Sequence, residues 1–172
     1  PAQMNASEIL SLNMSNNVKP KVLFVDSYHE GYAWREGILD GVLSVFNGHL
    51  LESGTVDNSE SPVDLRVVRM DTKRNQSETF MLQAGLQVKS VIDSWQPDIV
   101  ITSDDNASRY VTVPYYQNTD LPFVFCGVNW DASGYGFPCS NVTGMIEVDL
   151  IDNMLETMKQ YARGPRIGIL GA

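Results

Sequence analysis

Apolar positions along the chain change period several times, and each change marks an element. Lys21-Val22-Leu23-Phe24-Val25 is a short apolar run closed by Asp26-Ser27, the signature of a strand buried on both faces. From Ala33 to Phe46 the apolar residues Ile38, Val42, Leu43 and Phe46 recur at helical spacing, and Asn47-Gly48 stops the pattern. Leu51 to Pro62 is polar and reads as a loop. Asp64 to Met70 predicts a second strand. Ser77 to Trp95 is a long amphipathic stretch carrying Phe80, Ala84, Leu86, Val88, Val91 and Ile92, with Ser77 placed to cap it. Pro97 turns the chain into a third strand, Asp98 to Thr102. A short helix is predicted over Asp105 to Val113 and a fourth strand over Pro122 to Val128. A loop rich in Gly, Pro and aromatics follows from Asn129 to Ser140, then a short fifth strand from Asn141 to Met145. Asp149 to Tyr161 predicts a last helix, and Arg166 to Leu170 begins a last strand. Residues 1–19, rich in Asn and Ser, read as a polar leader with a helical turn around Glu8–Leu12.

Apolar strands alternating with helices predict an α/β fold with a doubly wound parallel sheet, Rossmann-like and covered on both faces. A chain of 172 residues, 43% of them hydrophobic, can bury one core of ordinary size. No internal repeat or low-complexity tract interrupts it.

Charge narrows the partners. A net charge of −9 opposes binding to a phosphate backbone, which needs clustered Lys and Arg, so no nucleic-acid partner is expected. Acidity also opposes an anionic membrane surface. No apolar run approaches the roughly 20 residues that a span needs, so direct membrane insertion is not expected. Pro1 stands where a Met would begin a gene product, which suggests a processed or trimmed chain.

The two cysteines, Cys126 and Cys139, form no C-x-x-C pair, so a thiolate zinc cluster is not expected. Cys126 lies in the run Phe123-Val124-Phe125-Cys126 and reads as a small buried hydrophobe. A Cys126–Cys139 disulfide stays open outside the cytoplasm. His29, beside Glu30, reads as a solvated loop residue, and His49 has no partner in sequence.

In open α/β sheets ligands bind beyond the carboxyl ends of the strands, near the point where strand order reverses. The informative residues are therefore those just after each strand. After the first come Asp26 to Tyr32 and then Trp34. After the third come Ser103-Asp104-Asp105-Asn106, and after the fourth Asn129-Trp130-Asp131. Aromatic walls with a few carboxylates and amides describe a small-molecule site, and they suit an ammonium group through pairing and cation–π contact. The candidate ligand-binding residues are Tyr28, Glu30, Tyr32, Trp34, Asp104, Asp105, Asn129 and Trp130. Structural roles compete with several of these. Asp104-Asp105-Asn106 also suits a helix cap, and Trp34 also suits packing on the first helix. No nucleophile elbow G-x-S-x-G occurs, and no phosphate loop G-x-x-x-x-G-K-S/T. Gly134 to Cys139 fails the dinucleotide fingerprint at its third glycine. No two-histidine metal spacing exists. Neither a cofactor nor a metal is expected, and the chain reads as a binding protein and not an enzyme.

An ordered set of segments carries a family likeness. It comprises Lys21-Val22-Leu23-Phe24-Val25 with Gly37 and Gly41 on the following helix, and Pro97-Asp98-Ile99-Val100-Ile101 leading into Ser103-Asp104-Asp105-Asn106-Ala107. Leu121 to Asn129, Asn141-Val142-Thr143-Gly144 and Arg166-Ile167-Gly168 complete it. From about residue 20 onward the chain resembles the type I periplasmic binding proteins. Within them it resembles the substrate-binding components of ABC transporters, in the branch that includes tryptophan- and tyrosine-type binders. The resemblance implies two Rossmann-like lobes joined by a hinge, with ligand in the cleft. Residues 20–146 would be the first lobe, and 147–172 the hinge crossing and the start of a second lobe that this chain truncates. It also implies a periplasmic or other extracytoplasmic location, and an ABC transporter permease as partner of the full-length protein.

The ligand expected from the aromatic and acidic loops is an amino acid or other amine-bearing compound, with a sugar as runner-up. A sensory domain of a membrane signalling protein would share every visible feature. A receiver-like domain is suggested by Asp26 and Asp104 at strand ends, though no Lys follows the fifth strand. The last helix carries Leu150, Ile151, Met154, Leu155 and Met158, an apolar face predicted to pair chains into a homodimer.

Overall fold

The computed structural model describes residues 18–164, with 166 and 168. Most of the expected leader, and most of the expected strand over 166–170, lie outside the described residues. The first apolar run is strand β1, Lys21–Asp26, and the helical pattern after it is α1, Ala33–Phe46. A left-handed Asn47, φ 50°, ends α1 by donating its N–H to the Leu43 carbonyl. Two short strands follow, β2 (His49–Leu50) and β3 (Val56–Asp57), and then β4, Asp64–Arg69. Helix α2 covers Glu78–Trp95, and the Ser77 hydroxyl accepts from the Phe80 N–H at its start, as the sequence predicts. Strand β5, Ile99–Ser103, runs directly into α3, Asp104–Ala107. A π-helical turn, Ser108–Thr112, joins α3 to the single turn α4, Val113–Tyr115. Strand β6 is Phe123–Asn129, β7 is Val142–Glu147, and α5 is Ile151–Tyr161.

Five strands form one sheet in the order β4-β1-β5-β6-β7, and every neighbouring pair is parallel. This is the expected doubly wound α/β fold. Side chains alternate across the sheet as the two-residue period requires. Val22 and Phe24 pack with Leu39 and Leu43 of α1 and with Leu65. Leu23 and Val25 face the other way, onto Ala84, Val88 and Ile92 of α2.

Three expected boundaries move, each for a local reason. The segment read as a loop contains β3, which pairs antiparallel with β2 just before it, and Val56 packs on the α1 side of the core. The helix expected from Asp105 begins at Asp104 and widens into the π-helical turn. The fifth strand extends to Glu147 because β6 and β7 resume pairing, Val128 to Ile146 and Asn129 to Glu147, beyond an irregularity after Phe125. Gly144 lies at that irregularity. A Cβ there would stand 2.1 Å from the Phe125 carbonyl oxygen, so no larger residue fits without moving β6.

The sheet edge and α5 differ from the rest. No residue of α5 is buried. Met145, Ile146, Val148, Leu150, Ile151, Met154 and Met158 are all exposed.

Candidate functional site

The chain leaves β1 for β4 on one side and later returns past it to β5 on the other, so the strand order reverses between β1 and β5. The crevice at their carboxyl ends is the ligand position expected for such sheets. Register fixes what lies there, because Asp26 of β1 is level with Arg69 of β4 and with Ser103 of β5.

Buried hydrogen bonds knit the crevice floor. The Ser27 hydroxyl donates to the Ser103 carbonyl at 2.5 Å and accepts from the Ala107 N–H at 2.8 Å. The Thr72 hydroxyl donates to the Ser27 carbonyl at 2.6 Å and accepts from Asn106 Nδ2 at 2.8 Å. Beneath them lies an ion pair that sequence reading missed. Arg35 Nε donates to Asp26 Oδ2. Arg35 is 1% exposed and Asp26 0%. Asp26 Oδ1 also accepts from the Tyr28 N–H at 2.9 Å. Burial pushes the Asp26 carboxyl up, while Tyr28 and Arg35 pull it down. Arg35 Nη1 donates to Glu36 at 2.8 Å, and the same Glu36 oxygen accepts from the Gly31 N–H at 2.9 Å.

Asp104 is the buried acid of the crevice. Its backbone is left-handed, φ 69°, and Ser103 Oγ donates to its Oδ2 at 2.9 Å. Burial pushes this carboxyl up to about 6, with the Asp26 and Asp105 charges adding to the rise. The Ser103 hydroxyl and the Trp34 indole oppose it. Gly127, φ 70°, backs onto it, and a Cβ there would lie 3.1 Å from Asp104 Oδ1. Asp105 is held from two sides, by Asn129 Nδ2 at 2.9 Å and by the Tyr135 hydroxyl at 2.8 Å. Burial, then this bond, pushes the Tyr135 phenol up to about 12. Neither carboxylate caps α3, whose N-cap makes no side-chain bond, so the capping role weighed for them is not what they do.

Of the eight candidates, six are linked to one another at this end of the sheet: Tyr28, Tyr32, Trp34, Asp104, Asp105 and Asn129. Trp34 is 45% exposed and Trp130 51%. Trp34 is therefore not core packing, and it lies close enough to Asp104 to lower its carboxyl. Tyr28 is half-buried, and burial followed by the Asp104 and Asp105 charges pushes its phenol well above the ordinary value. Its ring meets that of Tyr32 edge-on at 5.2 Å and 81°. Glu30 is exposed and joins none of the described hydrogen bonds. The acid that ties this loop down is Glu36. His29 is partly buried and not solvated: its ring lies 5.9 Å from that of Tyr32, and its Nδ1 lies 3.9 Å from Asp71. Cys126 and Cys139 are both free and half-buried, and the Cys126 thiol donates to the Thr102 carbonyl at 3.7 Å. Among the described residues no cluster of His, Cys, Asp and Glu could hold a metal, and no helix is long and apolar enough to cross a membrane.

No protein-family model matches the chain, and no curated protein matches it either. Among solved structures it is similar to a conserved domain protein from Vibrio cholerae O1 biovar El Tor strain N16961, at 17% identity and a TM-score of 0.53. The match covers 82% of this chain and 43% of that one, so the chain spans less than half the length of that protein. At this identity the likeness shows the Rossmann-like α/β fold.

Proposed function

We propose that this chain is the first ligand-binding lobe of an extracytoplasmic solute receptor of the type I periplasmic-binding kind, serving an ABC-type uptake system. Its ligand is an amino acid or similar amine-bearing compound. The observation that carries this reading is Asp104, a buried carboxylate at the strand-order reversal beside half-exposed Trp34. A carboxylate in a poorly solvated setting pairs strongly with an ammonium group, and indole faces hold the remainder of such a ligand.

The polar groups support binding over chemistry. The Ser27 hydroxyl donates to a backbone carbonyl, which cannot serve as its base, and the Ser103 hydroxyl faces the Asp104 carboxylate with no histidine bonded to either. Asp26 is committed to Arg35 and is not free to join Asp104 around a magnesium ion, which disfavours the receiver-like reading. The exposed indole faces also favour a sugar as the second reading.

Isothermal titration calorimetry of the full-length protein against the common amino acids and a panel of sugars tests the proposal. Heat from at least one amino acid is expected, with a loss of tenfold or more in Asp104→Asn, about the worth of one charge-assisted hydrogen bond. Silence from every amino acid overturns it.

A further inference from the structure

We propose that Tyr28 and Tyr32 form an ammonium cradle that the chain fills with its own Lys73, so that Lys73 competes with an amine-bearing ligand and sets its affinity. This rests on the reading above that the crevice accepts such a compound, and it adds the residue that tunes it. The two rings stand 5.2 Å apart at 81° and make a corner with two π walls. The Lys73 ammonium sits in that corner, 5.2 Å from the Tyr28 centroid and 5.0 Å from that of Tyr32. Both distances are inside the range where a ring quadrupole attracts a cation.

The placement follows from the backbone. Asp71 is left-handed, φ 54°, and turns the chain sharply after β4. Its N–H donates to the Tyr28 carbonyl at 3.3 Å, and the Thr72 N–H donates to the Ser27 carbonyl at 3.0 Å. These bonds lay the segment after β4 across the segment after β1, with Lys73 above the tyrosines. The nearest acid in sequence, Asp71, is held by Arg74 Nε at 2.7 Å and by Asn75 Nδ2 at 3.1 Å. Among the described residues Lys73 makes no ion pair. What holds its charge in place is the two rings. A tethered cation held that weakly, on an exposed side chain, can be displaced by a ligand cation of the same chemistry.

The test uses tetramethylammonium chloride as the probe, potassium chloride as the ionic-strength control, and the full-length protein followed by NMR. In the unsubstituted protein the Lys73 ε-methylene protons are expected upfield of an ordinary lysine, because both rings shield them. Adding the probe is expected to move them back. Lys73→Met is expected to bind the probe about two- to five-fold more tightly, the worth of one exposed cation–π contact. Equal affinity in the two proteins, binding by neither, or unshifted Lys73 protons would each overturn the inference. Amino-acid calorimetry separates this outcome from the function itself. Amino-acid binding that Lys73→Met leaves unchanged overturns the cradle alone. Tetramethylammonium binding without any amino-acid binding overturns the receptor reading alone.

Discussion

Replacing Arg35 with Met tests whether the ion pair under the crevice holds the floor together. Met keeps much of the apolar stem and removes the charge. Asp26 would then keep only the Tyr28 N–H as a hydrogen-bond partner, with the Arg69 charge on β4 acting on it without a bond, in a site with no exposure. Stranding one member of a buried pair costs about 3–5 kcal/mol. A smaller effect opposes this: Arg35 Nη2 is buried without a partner, and losing an unsatisfied donor returns about 1–3 kcal/mol. The Glu36 contact lies at a half-exposed carboxylate and adds under about 1 kcal/mol. The expected net loss is about 2–3 kcal/mol. With a urea slope of about 2 kcal/mol per molar, the unfolding midpoint falls by roughly 1 M. The pH dependence has a definite sign. Without Arg35 the Asp26 carboxyl rises further, so the deficit is largest near neutral pH and shrinks on acidification, as the carboxyl takes up a proton. Adding Asp26→Asn to Arg35→Met removes the stranded charge and is expected to recover most of the loss at pH 7. An unmoved midpoint, or single substitutions that simply add in the double variant, would refute the reasoning.

Three further outcomes follow from the same structure. Asp104, with its carboxyl raised from 3.8 to about 6, holds a proton in the folded state that the unfolded chain has released. The resulting stability, about 3 kcal/mol, is present below pH 4 and is lost as pH rises through 6. Urea titrations at steps between pH 4 and 7 should show that slope, and Asp104→Asn should flatten it. Gly144→Ala puts a Cβ 2.1 Å from the Phe125 carbonyl oxygen and 2.5 Å from its ring. It should cost about 1–3 kcal/mol and lower the melting temperature by several degrees, as read by calorimetry. The exposed apolar face of α5, with Met154 at 59% and Met158 at 43%, is expected to pair chains. Light scattering should give twice the mass of one chain, reverting to one with Met154→Lys and Met158→Lys together. A single-chain mass at high concentration for the unsubstituted chain counts against that pairing.

The main strands were legible because each is a short apolar run with clear punctuation: Asp26-Ser27 after β1, Pro97 before β5 and Pro122 before β6. The hairpin β2–β3 was not, since two-residue strands leave no period to read. The crevice was legible as three loops, because the carboxyl ends of parallel strands lie along one edge of the sheet. Its internal wiring was not. Asp105 and Asn129 were both singled out, but their bond depends on how β5 and β6 align. Arg35 carried no mark at all. It sits in Trp34-Arg35-Glu36, a run that reads as the polar start of a helix. Its burial follows from Asp26, nine residues away across a turn.

Gly127 shows most clearly where a residue-by-residue reading stops. In Cys126-Gly127-Val128 it looks like a weak point in a strand, and a lone glycine there suggests only a bulge. The structure places it within the register shift between Phe125 and Val128, at φ 70°, with its backbone against Asp104. A side chain there would suffer the left-handed backbone and would also push on the Asp104 carboxylate. The bulge therefore lets β6 approach the buried acid closely and keep it desolvated. The same desolvation that raises the Asp104 carboxyl would strengthen its hold on an ammonium ligand. The acid at the start of α3, one residue past β5, and the glycine on β6 act as one device, and only the sheet order brings them together.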